Sequence, residues 1–240
     1  MSTQIVIVPA SPALVRELAP AHAPSHELAA AAVGEVRRAC AHASGIYLVG
    51  SRVARWRTAH TGSFRAWGAP DVTVGSGNFL PELVQRYLLQ RAGVTCPVRE
   101  TCATLSEVCG DGQLPKDAVV VVAADGSAGI GKKAPLAAVP GAEEADKWCQ
   151  ALLAGASSLP PSDGAGPGGD ACPTGEGCPG EASQTADWLR ARGVDEAGVW
   201  EELRQVMADT SPRAELVRAD SSLGVARYVA RWEILGLEVN

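Results

Sequence analysis

Gly126 to Lys133 reads GSAGIGKK and directly follows an uninterrupted apolar run, AVVVVAA, at Ala118 to Ala124. This nearly matches a phosphate-binding loop, where backbone amides cradle phosphates, a lysine reaches the terminal phosphates and the next hydroxyl holds magnesium. Gly126, Gly131 and Lys132 fit the pattern, but Lys133 replaces the hydroxyl residue. Pro135 and Pro140 interrupt the helix that should follow. Two readings stay open: phosphate or nucleotide binding at 126–133, and a glycine-rich connection carrying two solvated lysines.

The chain has four histidines, His22, His26, His42 and His60. His22 and His26 have the i, i+4 spacing of helical metal ligands. Pro24 lies between them, however, so both read as polar residues approaching a helix start. His42 ends the same helix, where a partly cationic ring suits the dipole. His60 lies in a loop and is the remaining candidate for catalysis, without a partner that can be named. The seven cysteines include Cys96, Cys102 and Cys109, separated by five and six residues, and Cys172 and Cys178 in a Gly/Pro-rich stretch. These spacings are poor for structural zinc, and free thiols are expected. No G-x-S-x-G nucleophile elbow is present. Trp56, Phe64 and Trp67 interleave with Arg52, Arg55, Arg57 and Arg65. That pattern suits a stacked anionic ligand or single-stranded nucleic acid, but an ordinary Arg-on-Trp surface, or a homodimer or partner-subunit interface, is the favoured reading.

The elements that must position these residues alternate. Gln4 to Val8 and Gly45 to Val49 are short apolar strands flanking a helix from Ser25, its expected N-cap, to Cys40. A short strand is expected at Asp71 to Val74, and a helix at Leu80 to Arg91 opened by Pro81. Ala118 to Ala124 is the clearest strand, covered on both faces. Helices are expected at Ala142 to Leu153, Thr185 to Arg192 and Asp195 to Met207. Glu215 to Arg218 and Gly224 to Ile234 form an antiparallel hairpin. The fold class is therefore α/β, a three-layer αβα sandwich around a central mixed, mostly parallel sheet. One domain spans 1–240, with a Gly/Pro-rich loop insertion at about 156–184. In such sheets ligands bind beyond the carboxyl ends of the parallel strands, which points to Pro9 to Pro12, Gly50 to Arg52 and Asp125 to Gly129.

Hydrophobic content of 46% with 20% charge is globular composition, and no run approaches the roughly 18 apolar residues of a membrane span. The opening MSTQIVIVPASP has no secretory signal pattern, so a cytoplasmic location is expected. The net charge of −6 argues against a broad nucleic-acid surface.

Taken together, the strand-end segments resemble the class III extradiol ring-cleavage dioxygenase superfamily, in particular its catalytic β-subunit type and an uncharacterised actinobacterial branch. The similarity lies in IVIVPASPALVREL, GIYLVGSR, TGSFRAWGAPDVTVGSG with LPELVQRYLL, VVVAADGSA with KAP, and DSSLGVARYVARWEI, in matching order. The resemblance implies a pocket holding non-haem Fe(II) through two histidines and a carboxylate, with a further histidine as acid/base. It places the first histidine at Ala10, beside Ser11. The second falls near Ser51 and Arg52, and the acid/base histidine at Ala128, after Asp125, Gly126 and Ser127. Glu196, or Asp195, would match the carboxylate. All three histidines are replaced, so no iron cofactor is expected, and an arginine at position 52 favours an anion over a metal. The resemblance thus implies a non-catalytic or repurposed homologue that binds a small anionic or aromatic ligand or a protein partner. The alternatives are an active dioxygenase-like oxidoreductase with atypical ligands, and phosphate binding through Lys132.

Overall fold

The computed structural model of the chain describes residues 2–110, 112–135, 137–157, 159–160 and 181–235. Most of the expected 156–184 loop, with Cys172 and Cys178, lies outside the described residues. In chain order the elements are β1 (Ser2–Val8), α1 (Ala23–Cys40), β2 (Gly45–Gly50), β3 (Ser63–Phe64), β4 (Ala69–Thr73), α2 (Leu80–Ala92) and β5 (Val98–Cys102). There follow α3 (Leu105–Val108), β6 (Ala118–Ala123), α4 (Ala142–Leu153), α5 (Glu181–Ala191), α6 (Ala197–Thr210), β7 (Arg213–Asp220) and β8 (Arg227–Leu235).

The central sheet runs β5-β2-β6-β1-β8-β7. The first four strands are parallel, β8 is antiparallel to β1, and β7 is antiparallel to β8. Every residue of β6 is buried. Val119 and Val121 face the layer of α1 and α2, while Val120 and Val122 face the layer of α4 to α6. An apolar run without alternation is what a strand covered on both faces requires. Each such valine contributes about 1.5–3 kcal/mol by leaving water. The expected α/β sandwich with its mixed sheet is the fold observed.

Three local expectations change. α1 is capped by His22, whose Nδ1 accepts from the Ser25 amide at 3.2 Å, with Pro24 in the first turn. Ser25 is instead a fully buried first-turn residue, and its hydroxyl accepts from Arg227 at 2.7 Å. β5 is an edge strand, exposed along Arg99 and Glu100, and so lacks the apolar run that marks the inner strands. β7 runs on to Asp220, and β8 begins only at Arg227. Between them, Gly224 and Ala226 pair with the connection after β6: the Gly126 amide donates to Ala226 O at 2.8 Å and the Ile130 amide to Gly224 O at 3.1 Å. No helix among the described residues is long and apolar enough to cross a membrane.

Candidate functional site

Beyond the carboxyl ends of β1 and β6 lies a cavity of about 530 Å³. Its floor is the Ala10 turn and the Asp125–Ala128 connection, and its walls come from Trp56, Trp67, Leu80, Pro81 and Val225, with Glu196 and Arg227 between them. The position follows from the topology, because neighbouring parallel strands end together and their connections diverge there.

Asp125 leaves β6 one residue after Ala124, whose amide donates to Val8 O at 3.0 Å. Trp200 of α6 donates its indole N–H to Asp125 O at 2.9 Å, holding the main chain at the cavity floor. Gly126 follows because the chain passes tightly over β8: a Cβ there would meet the Tyr228 hydroxyl at 2.5 Å. The Ala10 amide lies near enough to the Asp125 carboxyl to favour its anion. Its Oδ1, however, is buried without a hydrogen-bond partner, although the residue as a whole is partly exposed. Burial, and next the charge of Glu196, push this carboxyl up to about 8, against the pull of Arg227.

Glu196 occupies the N-cap position of α6 but makes no side-chain capping bond. Its carboxylate lines the cavity instead. Burial and the neighbouring Asp195 push it up to about 7, opposed by Arg55 and by the Trp56 indole. That indole lies near enough to favour the Glu196 anion, yet Nε1 is buried outside hydrogen-bond geometry of any acceptor. Asp195 is exposed and pairs with Arg55 at 3.0 Å; the Arg55 guanidinium also sits 5.0 Å above the Trp56 ring. Arg227 is fully buried. It donates to Ser25 and, through a short ion pair, to Asp220, leaving its Nε without a partner.

Ala10, Ser11, Asp125, Ala128 and Glu196 therefore converge as expected, whereas Ser51 and Arg52 do not line the cavity. The reason is steric. A Cβ on Gly50 would meet Pro81 Cβ at 2.8 Å, so the start of α2 covers the end of β2 and takes the wall position expected of Ser51 and Arg52. Arg52 turns outward over the Phe79 ring at 4.5 Å, with Glu82 at 3.8 Å. The anion argument built on Arg52 accordingly does not apply to this cavity. Ser127 is fully buried but structural, donating to Arg192 O at 2.6 Å and accepting from the Gly129 amide at 3.1 Å. His60 is exposed and is not among the cavity residues. His22 and His26 are engaged separately, by Ser25 at 2.8 Å and Ala19 O at 2.8 Å.

In the 126–133 loop Gly126 and Gly129 are required by close packing, against Tyr228 and Val139, and Gly131 by its left-handed backbone at φ +68°. The loop amides at Gly126, Ala128, Gly129 and Ile130 already donate within the protein, to Ala226 O, Gly193 O, Ser127 Oγ and Gly224 O. A phosphate cradle needs such amides unengaged and converging. No helix follows Lys133; the next, α4, starts at Ala142. The Arg/aromatic cluster likewise divides: Phe64 is fully buried, stacked edge-on to Trp67 at 6.2 Å and to Tyr87 at 6.1 Å, while Trp56 and Trp67 serve the cavity.

The residues present do not fit Fe(II). Ala10 and Ala128 offer no donor atom, and two arginines share the cavity with the carboxylates. Among the described residues, no group of three or more His, Cys, Asp or Glu is arranged to hold a metal ion.

Arg227, Pro81 and Val225 were not expected from the sequence as cavity residues, whereas Arg55, Trp56 and Trp67 came from the Arg/aromatic cluster. Arg227 left a signal: it is a lone charge amid the apolar residues Val225, Ala226, Tyr228 and Val229. No protein-family model matches the chain, and no curated protein is similar enough to match it.

Proposed function

We propose that this chain is a repurposed homologue of the class III extradiol dioxygenases that binds a small aromatic molecule in the strand-end cavity without iron. The observation that carries the reading is the cavity itself. It places two tryptophan side chains and the aliphatic Leu80, Pro81 and Val225 around two carboxyl groups, at the strand ends where α/β sheets present ligands. Apolar walls with a few convergent polar groups are the usual composition of a small-molecule site. Trp56 and Trp67 supply flat surfaces for an aromatic ring.

Phosphate binding has less support, since four of the loop amides donate within the protein and the next described helix starts only at Ala142. An iron-dependent ring cleavage has no donor set among the cavity residues.

The test compares chelator-treated protein with protein incubated with Fe(II). Tryptophan fluorescence follows the titration of a neutral aromatic probe, 2-phenylethanol, and an oxygen electrode follows catechol turnover. The expected outcome is saturable binding of the same affinity in both preparations and no oxygen uptake. Stoichiometric iron, with catechol-dependent oxygen uptake abolished by chelator, would overturn the proposal.

A further inference from the structure

We infer that the ligand of the strand-end cavity carries a protonated amine, its ammonium group held by Asp125 and Glu196 and its apolar body against Trp56 and Trp67. The inference rests on the cavity reading above and deepens it by assigning the charge of the ligand.

The argument starts from charge matching. Two arginines line the cavity, and each already pairs with an acid of its own: Arg55 with Asp195 at 3.0 Å, and Arg227 with Asp220 through a short ion pair. Asp125 and Glu196 are left facing the same space with no cation dedicated to them. Asp125 feels Arg227 but also Glu196 and Asp195; Glu196 feels Arg55 but also Asp195. The second, independent observation is the buried Oδ1 of Asp125, which has no hydrogen-bond partner. A buried acceptor without a donor costs about 1–3 kcal/mol, so a ligand that supplies the donor recovers that cost.

A contrasting cavity of about 550 Å³ lies at the opposite ends of β1 and β6. There Glu35 meets Arg38 at 2.5 Å and Arg231 at 3.9 Å, and Glu215 meets Arg231, while Asp117 and Glu233 lie among polar residues with no tryptophan beside them. The strand-end cavity differs in setting its two acids without an ion pair beside tryptophans. Aromatic faces and carboxylates together are the chemistry that recognises an organic ammonium, through ring attraction on one side and charge-assisted hydrogen bonds on the other. An anionic ligand would meet both carboxyl groups and gain no unengaged cation. Without a ligand, burial first and then the neighbouring acid charges raise both carboxyl groups, so a proton offsets charge that an ammonium would otherwise offset. Protons and the amine therefore compete for the pair.

Isothermal titration of the whole chain with three probes of similar shape tests this: 2-phenylethylamine, 2-phenylethanol and phenylacetate. At about pH 9 the amine should bind at least about tenfold more tightly than the alcohol, and phenylacetate more weakly than the alcohol. The preference for amine over alcohol should shrink several-fold by about pH 6, as Asp125 and Glu196 take up protons. Asp125→Asn and Glu196→Gln should each bring it close to unity. If the alcohol binds and the amine binds no better, or phenylacetate binds best, the amine assignment is overturned while the aromatic cavity stands. Failure of all three probes to bind overturns both readings. The comparison of probes on the unmodified chain decides the matter even where a variant does not fold.

Discussion

Burial holds the Asp125 and Glu196 carboxyls above their ordinary values of 3.8 and 4.5, with the charge of Glu196 adding to the effect on Asp125 and that of Asp195 to the effect on Glu196. The consequence for stability has a definite sign. A folded state that holds protons more tightly than the unfolded chain is favoured at low pH, and this contribution is lost as pH rises through the folded values. The window runs from the ordinary values to about 7 for Glu196 and about 8 for Asp125. A chain carrying Asp125→Asn and Glu196→Gln should therefore lose less Tm than the unmodified chain between about pH 5 and about pH 9. Differential scanning calorimetry across that range checks it. Parallel Tm profiles for the two chains would mean that the pair is not raised in the folded protein.

At the scale of elements, Arg227 joins three parts of the chain. It opens β8, donates to Ser25 in the first turn of α1, and pairs with Asp220 at the end of β7. The guanidinium is fully buried, and hydrogen bonds from Ser222 and Arg227 hold the Asp220 carboxyl below its ordinary range despite its partial burial. Removing one member of a buried pair leaves the other charge uncompensated, at about 3–5 kcal/mol. Asp220→Asn should cost that much in urea unfolding; a loss below about 1 kcal/mol would put the pair in the class of surface salt bridges. Trp200→Phe makes a second test, since it keeps most of the ring packing but removes the bond to Asp125 O. The expected loss is about 1–3 kcal/mol, together with weaker binding of aromatic probes. Unchanged stability would show that Asp125 is held by other contacts.

The inner elements were legible because each leaves a local pattern. β1, β2 and β6 are apolar runs, and α2 and α4 have helical spacing with Pro81 and Gly141 at their starts. β5 was not legible, because an edge strand with one neighbour keeps Arg99 and Glu100 exposed and needs no apolar run. The cap of α1 was misplaced by three residues because His22, an uncommon capping residue, does what Ser25 was expected to do. At the cavity, the residues directly after β1 and β6 were found from strand ends alone. Ser51 and Arg52 failed the same rule because α2 packs over β2 through Pro81, a tertiary contact with no mark in the residues near position 51. The glycine-rich loop stayed ambiguous for a related reason. Gly126 and Gly129 answer to Tyr228 and Val139, which lie far away in the chain or across a loop, and Gly131 to a left-handed turn.

At the scale of the whole molecule, the sheet has two charged edges, β5 with Arg99 and Glu100 and β7 with Arg213, Glu215 and Arg218. Such edges oppose edge-to-edge pairing of chains, and the fold presents its concave surfaces at the two ends of the inner strands. The architecture supplies a rigid floor from β1 and β6, a wall from the start of α2, and a carboxyl-bearing wall from the start of α6. Together these make a cavity that sets two tryptophans beside the Asp125 and Glu196 carboxyl groups. The most direct test is isothermal titration of 2-phenylethanol into chelator-treated protein and into Ala128→Phe, which places a ring inside the cavity. The predicted result is saturable one-to-one binding to the unmodified chain, and none to a variant of unchanged fold. Equal binding to both, or none to the unmodified chain, would contradict the assignment of this cavity as the ligand site.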